Sequence, residues 1–127
     1  DRGYVEHSTA IQAMLGADVL LASYTDSQVT DVSVPGRIYE MLRAQRPIIA
    51  VTPSPGALAN LLAPLDSCEI VAPNDTATLT SRIASYAQSN HHNSARPVAQ
   101  IRSFERREQA RQLSELCHAA LNRKVGK

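Results

Sequence analysis

One stretch of the chain, VPGRIYE at residues 34–40, combines residue types that bind anions and hydroxyl groups. Pro35 suits the first turn of a helix, because its ring fixes a helical φ and it lacks an N–H that would need a partner. The N–H groups of the next three residues would then lack intrahelical partners and could bind a phosphate, with Arg37 adding a full charge. Glu40 can accept hydrogen bonds from a vicinal diol such as a ribose. The stretch predicts a nucleotide-diphosphate site, and a plain helix start with a solvated arginine is the structural alternative.

The elements around this stretch predict an open parallel sheet. In such a sheet, ligands bind outside the carboxyl ends of the strands, so the loops that follow the strands are the candidate sites. Four loops qualify: the loop after Val5 and the loops at residues 23–34, 52–56 and 72–75. The second is the longest and the richest in hydrogen-bonding side chains. The predicted substrate-binding residues lie in it or directly after it: Asp26, Asp31, Ser33, Val34, Gly36, Arg37, Ile38 and Glu40.

Apolar runs alternate along the chain with helical periodicities. The runs DVLLAS and RPIIAVT are typical of buried strands, CEIVAP predicts a third strand, and GYV could be a short strand end. The helical segments are STAIQAMLGA behind Ser8 or Thr9 as N-cap, the segment after Pro35 with Tyr39 in its buried stripe, SPGALANLLAPL, and NDTATLTSRIASYAQSN capped by Asn74 or Asp75. This order predicts an α/β fold, a Rossmann-like parallel sheet with flanking helices over residues 1–90.

The chain after residue 90 has a different character. A polar, proline-containing segment at residues 91–99 predicts a linker. Residues 100–127 then predict a long C-terminal amphipathic helix, interrupted near Phe104. Basic residues on this helix could meet a membrane surface. Because three glutamates interleave with them, a solvated face is the favoured interpretation.

Composition excludes several classes of protein. A net charge of +1, 4% aromatic residues and no tryptophan argue against a nucleic-acid partner. Cys68 and Cys117 are far apart in sequence and predict reduced thiols, and the adjacent His91 and His92 are better explained as surface residues than as metal ligands. We expect no metal and no cofactor. No apolar run reaches the roughly 18 residues of a membrane span, so a cytoplasmic protein is predicted, with peripheral contact at the inner membrane face as an open possibility.

The quoted segments also resemble a known family. GYVEHSTAIQAMLGADVLLAS, VPGRIYEMLRAQRPIIAVTPSPGALANLL and EIVAPNDTATLTSRI are similar to the C-terminal nucleotide-sugar-binding domain of group 1 (family 4) glycosyltransferases of the GT-B fold. The resemblance covers nearly the whole chain. It implies that Glu40 binds the ribose hydroxyls and that the segment from Val34 to Ile38 contacts the diphosphate. The implied reaction is retaining sugar transfer from a nucleotide diphosphate to an acceptor hydroxyl, without a required metal, in bacterial polysaccharide or glycolipid assembly.

Two departures from the family pattern qualify this resemblance. Val32 stands where family members commonly carry a second glutamate near the transferred sugar, and Asp31 or Asp26 is the only substitute nearby. The family's complete domain also begins with two further βα units, and a partner domain binds the acceptor. The resemblance therefore implies a C-terminal part of a longer enzyme, inactive alone, whose last helix packs toward an N-terminal domain. The alternative is a stand-alone nucleotide-binding module or a catalytically inactive α/β interaction domain.

Overall fold

The computed structural model describes residues 3–25, 32–88 and 101–125 of the 127-residue chain. Two compact units, Asp1–Arg96 and Pro97–Lys127, are described separately. The predicted alternation of helices and strands is confirmed in the first unit, and the fold is α/β. The elements are α1 (His7–Gly16), β1 (Leu20–Ser23), α2 (Arg37–Arg43), β2 (Ile48–Val51), α3 (Ala57–Leu62), β3 (Cys68–Val71), α4 (Thr76–Gln88) and, in the second unit, α5 (Arg106–Val125).

The three described strands form one parallel sheet in the order β1-β2-β3, compatible with a Rossmann-like fold. All four residues of the central strand β2 are buried, as predicted for a strand covered on both faces. The same prediction is wrong for β1, where Leu21 is 54% exposed. Leu20 and Ala22 are buried, whereas Leu21 and Ser23, which point to the opposite face, are exposed, so the described residues cover only one face of β1.

Helices α2 and α3 add their buried side chains to the core that the strands form. Their buried side chains are Ile38, Met41, Leu42, Leu58, Ala59 and Leu62. Tyr39, which the helical spacing placed in the buried stripe of α2, is exposed instead. The buried residues of α2 follow the spacing i, i+3 and i+4 from Ile38, and Tyr39 lies outside this stripe.

Helix α1 begins earlier than its sequence predicts. Glu6 is the N-cap and makes no side-chain capping bond, so Ser8 and Thr9 lie inside the helix rather than at its cap. The Ala10 N–H already donates to the Glu6 carbonyl at 3.0 Å. No strand forms at residues 3–5, so the predicted GYV strand is wrong among the described residues. At the other end of α1, the Arg46 guanidinium donates from Nε and Nη2 to the Leu15 carbonyl at 3.0 and 2.6 Å, tying the helix to the segment before β2.

Helix α4 has the predicted aspartate cap. The Thr78 N–H donates to Asp75 Oδ1 at 2.9 Å, and this bond lowers the pKa of the Asp75 carboxyl. Glu69 on β3 holds the far part of α4. It accepts a hydrogen bond from the Tyr86 hydroxyl at 3.1 Å and pairs with Arg82 Nε at 3.0 Å. Partial burial, together with the Glu69 charge, raises the pKa of Tyr86.

The second unit contains a short helical turn followed by α5. The turn at residues 101–102 ends in hydrogen bonds from the Phe104 and Glu105 N–H groups, and α5 starts at Arg106, so the predicted interruption near Phe104 is confirmed. Both cysteines are free thiols, as predicted. No helix in the described ranges has the length and apolar character to cross a bilayer. The predicted linker at residues 91–99, with His91 and His92, lies outside the described residues.

Candidate functional site

The three strands end together at one edge of the sheet. Ser23, Val51 and Val71 are register partners at the carboxyl ends of β1, β2 and β3. The pairing continues one residue further, because the Tyr24 N–H donates to the Val51 carbonyl at 2.9 Å and the Thr52 N–H to the Val71 carbonyl at 3.1 Å. Three of the four predicted loops therefore leave the sheet at the carboxyl ends of its strands. This is where an open parallel sheet binds ligands.

The first turn of α2 has more hydrogen bonds than the sequence predicted. The Ile38 N–H donates to the Pro35 carbonyl at 3.0 Å, and the Tyr39 N–H donates to the Gly36 carbonyl at 3.1 Å. The expectation that the Ile38 N–H is unpaired is wrong, because a 3₁₀-type turn satisfies it before the α-helix begins. Within the described ranges, the N–H groups of Gly36 and Arg37 make no hydrogen bond.

The predicted site side chains occupy different environments. Arg37 is exposed and forms no ion pair with any described residue. Gly36 is also exposed, and a Cβ at this position would meet nothing within 4 Å, so the backbone is open to close approach. Val34 is half-buried, and Ser33 is exposed with a polar interaction of its own. The Ile38 side chain is fully buried in the core, where it can position the turn but cannot touch a ligand.

Glu40 lies in the first turn of α2 and is partly open to solvent. Its Oε1 atom is 4.0 Å from Nδ1 of His7, the first residue of α1, and the two side chains are 38% and 75% exposed. Neither side chain has a hydrogen bond to another described residue. Among the described residues, none holds Glu40 through a hydrogen bond, and its carboxylate oxygens can accept hydrogen bonds from a ligand.

Sequence reasoning did not find His7. The loop after Val5 was expected at this edge of the sheet, but as the end of a strand. The chain there enters α1 directly, and the helix start places His7 opposite Glu40. A histidine immediately after one of the four candidate loops was the available signal.

The sequence singled out three further residues in the long loop before α2. Asp26 and Asp31 lie outside the described residues. Val32, which stands where the resembled family carries a second glutamate, is 81% exposed.

Thr52 carries the other polar feature of this edge. Its side chain is completely buried, and its hydroxyl has no hydrogen-bond partner in the described part of the chain. A buried hydroxyl without a partner costs about 1–3 kcal/mol. The loop that follows β2 thus begins with one unsatisfied polar atom.

Two other possible sites are poorer candidates. Among the described residues, no group of three or more His, Cys, Asp or Glu side chains is placed to hold a metal ion. In the second unit, an open cleft of about 420 Å³ is lined by Arg102, Ser103, Glu108, Arg111 and Gln112. Arg111 is already paired there with Glu108 and Glu115, so this cation is not available to an anionic ligand.

Comparison with known proteins adds no assignment. No family model, curated protein or solved structure matches this chain. The site therefore consists of Glu40 with His7 beside it, the unpaired N–H groups of Gly36 and Arg37, and the Arg37 guanidinium.

Proposed function

We propose that this chain binds the nucleotide-diphosphate part of an activated sugar, as the C-terminal domain of a GT-B glycosyltransferase would. One observation carries the proposal: Glu40 is an accessible carboxylate that makes no hydrogen bond to any described residue, in the first turn of the helix that follows β1. A buried or fully paired glutamate would have argued for a structural role. The resemblance in sequence supplies the choice of ligand class.

Each group in the site would have one role. Glu40 would accept hydrogen bonds from the ribose hydroxyls, since an ionised carboxylate has acceptors only. The free N–H groups of Gly36 and Arg37, together with the Arg37 guanidinium, would bind the diphosphate. Because α2 has only seven residues, its macrodipole is weak, and these donors would contribute more than the helix as a whole.

The proposed reaction is retaining transfer of the sugar to an acceptor hydroxyl of a glycan or glycolipid, at the cytoplasmic face of a membrane. The leaving diphosphate gains charge as the anomeric bond breaks, so donors positioned on it stabilise the transition state more than the bound substrate. A partner domain would bind the acceptor. We expect no sugar transfer by these 127 residues alone.

Nucleotide titration tests this function. We expect UDP, GDP or ADP to shift the amide resonances of residues around Gly36 in ¹H–¹⁵N spectra. Glu40→Ala and Arg37→Ala should each weaken binding about tenfold, the effect of losing one charge-assisted hydrogen bond. Arg43→Ala is the matched control, because Arg43 is also exposed on α2 but lies in its last turn. Absence of binding by all three nucleotides, or an equal effect of Arg43→Ala, contradicts the proposal.

A catalytically inactive interaction domain is the second candidate. The observation that favours it is Val32, an exposed apolar side chain at the position of the family's second glutamate. A folded chain that binds none of the three nucleotides or their sugar conjugates would support this candidate. Val32→Ser would then weaken capture of a protein partner without changing stability.

A further inference from the structure

The gap between His7 and Glu40 has a specific size. At 4.0 Å, Nδ1 and Oε1 are too far apart for a direct hydrogen bond, which needs about 3 Å between nitrogen and oxygen. A single hydroxyl oxygen can bridge them. If it lay about 2.8 Å from each atom, the two directions at that oxygen would be about 90° apart, close to the arrangement of a hydroxyl that donates one bond and accepts another.

The chemistry of the two side chains fits such a bridge. Glu40 accepts a hydrogen bond from the hydroxyl, and His7 donates one to it in the tautomer that carries a proton on Nδ1. A carboxylate alone would bind any hydrogen-bond donor. The imidazole beside it donates a hydrogen bond, so the bound group must also be able to accept one. A hydroxyl can do both.

A surface ion pair explains the arrangement less well. Exposed pairs of this kind contribute little stability, because solvent screens the charges and both side chains lose rotamer freedom. The two residues also come from different elements, the first residue of α1 and the first turn of α2, which the Arg46 bond to Leu15 helps to hold in place. Both side chains are open to solvent, at 75% and 38% exposure.

We propose that His7 is a second ligand of the nucleoside and that it reads a ribose hydroxyl together with Glu40. This inference rests on the proposed function, since it assumes that a nucleotide occupies the site. It assigns to a residue outside the α2 segment the ability to distinguish ribose from deoxyribose. His7 has a positioning and specificity role here, and no part in breaking the anomeric bond.

Matched ribonucleotides and deoxyribonucleotides test this role on the full 127-residue chain. UDP is compared with its 2′-deoxy and 3′-deoxy forms by ¹H–¹⁵N titration, and GDP and ADP replace UDP if they bind better. The unsubstituted chain should prefer the ribonucleotide by about 3- to 10-fold over one of the deoxy forms, the effect of one hydrogen bond. His7→Ala should weaken ribonucleotide binding by a similar factor and leave deoxynucleotide binding unchanged, so that the preference disappears.

Two further variants separate this role from a general structural effect. His7→Gln keeps a side-chain donor and should restore part of the preference, whereas His118→Ala, an exposed histidine on α5, should have no effect. If no nucleotide binds the unsubstituted chain, the proposed function fails and this inference fails with it. If nucleotides bind and Glu40→Ala weakens them, but His7→Ala preserves the ribose preference, only the role of His7 is overturned.

Discussion

Helices α2 and α3 differ from helices α4 and α5 in the interactions that stabilise them. The first two have seven and six residues and bury three side chains each. Helix α4 has 13 residues and buries none, and α5 has 20, none of which is buried between residues 106 and 122. Isolated helices shorter than about 12 residues are marginal in water. The short helices therefore depend on the sheet, and the long ones depend more on their own local interactions.

The local interactions of the long helices are visible in the structure. Asp75 caps α4, and the Thr80 hydroxyl donates to the Thr76 carbonyl at 2.8 Å. On α5, Arg111 pairs with Glu108 and Glu115, three and four residues away. The candidate site is built on the short, packed kind of helix. The backbone of Glu40 is thereby held by the packing of α2, while its carboxylate makes no hydrogen bond to another described residue.

The largest expected change in the free energy of unfolding comes from truncating one leucine side chain in each of the two kinds of helix. Leu58 on α3 is fully buried and Leu116 on α5 is 68% exposed. Leu58→Ala should lower the free energy of unfolding of the first unit by about 3 kcal/mol, since it loses burial and leaves a cavity. Leu116→Ala should change the unfolding of α5 by no more than about 0.5 kcal/mol. Urea unfolding, followed by resonances of each unit, measures both.

An equal cost for both substitutions would contradict the comparison. It would mean that the exposed apolar side chains of α5, Leu113, Leu116 and Leu121, are covered in solution by another surface. Sedimentation of the unsubstituted chain would then show whether that surface belongs to a second copy.

The sequence predicted the fold class and most element positions, because each depends on local pattern. The continuous apolar run at residues 48–51 could only be a strand buried on both faces, and Asp75 and Pro35 marked helix starts by their chemistry. The break near Phe104 was visible for the same reason. Burial was predicted less well. Leu21 and Tyr39 are apolar residues at apolar positions, and their exposure depends on which neighbours the sheet has.

The sequence singled out one member of the His7–Glu40 pair and not the other. Glu40 was found from its type and its place in the first turn of a helix. The Ile38 N–H is paired because the first turn of the helix is a 3₁₀ turn, in which an N–H bonds to the carbonyl three residues earlier rather than four. The amino-acid sequence does not distinguish these two kinds of turn. His7 is 33 positions from Glu40 in sequence, and only tertiary structure places the two side chains 4.0 Å apart.

A smaller effect is expected where the packed helix α2 ends. Gln45 has φ 56° in the left-handed region, and its N–H donates to the Leu42 carbonyl at 3.1 Å. Glycine adopts this conformation without a Cβ clash, so Gln45→Gly should raise the free energy of unfolding by about 0.5–1 kcal/mol. Arg43→Gly, two residues earlier inside α2, is the control and should lower it by about 0.5–1 kcal/mol. Thermal unfolding compares the two variants, and a loss of stability in both would show that Gln45 makes a contact worth more than the strain.

The smallest effect concerns pH and the long helix α5. Glu108 accepts hydrogen bonds from Arg111 Nε at 3.0 Å and from Gln112 Nε2 at 3.1 Å, and the bonds from Arg111 first of all lower its pKa from 4.5 to about 2. Because the folded pKa is depressed, the stabilisation of α5 is fully present above about pH 4.5 and is lost as the pH falls toward 2. A titration of the Glu108 carboxyl carbon by NMR should therefore show a midpoint near 2, and Glu108→Gln should remove the accompanying change in α5 resonances. High salt should reduce the shift, since the Arg111 side chain that pairs with Glu108 is 55% exposed. A midpoint near 4.5 at low salt would mean that Glu108 and Arg111 are not paired in solution. Local charge pairs would then not explain why α5 is helical without a buried face.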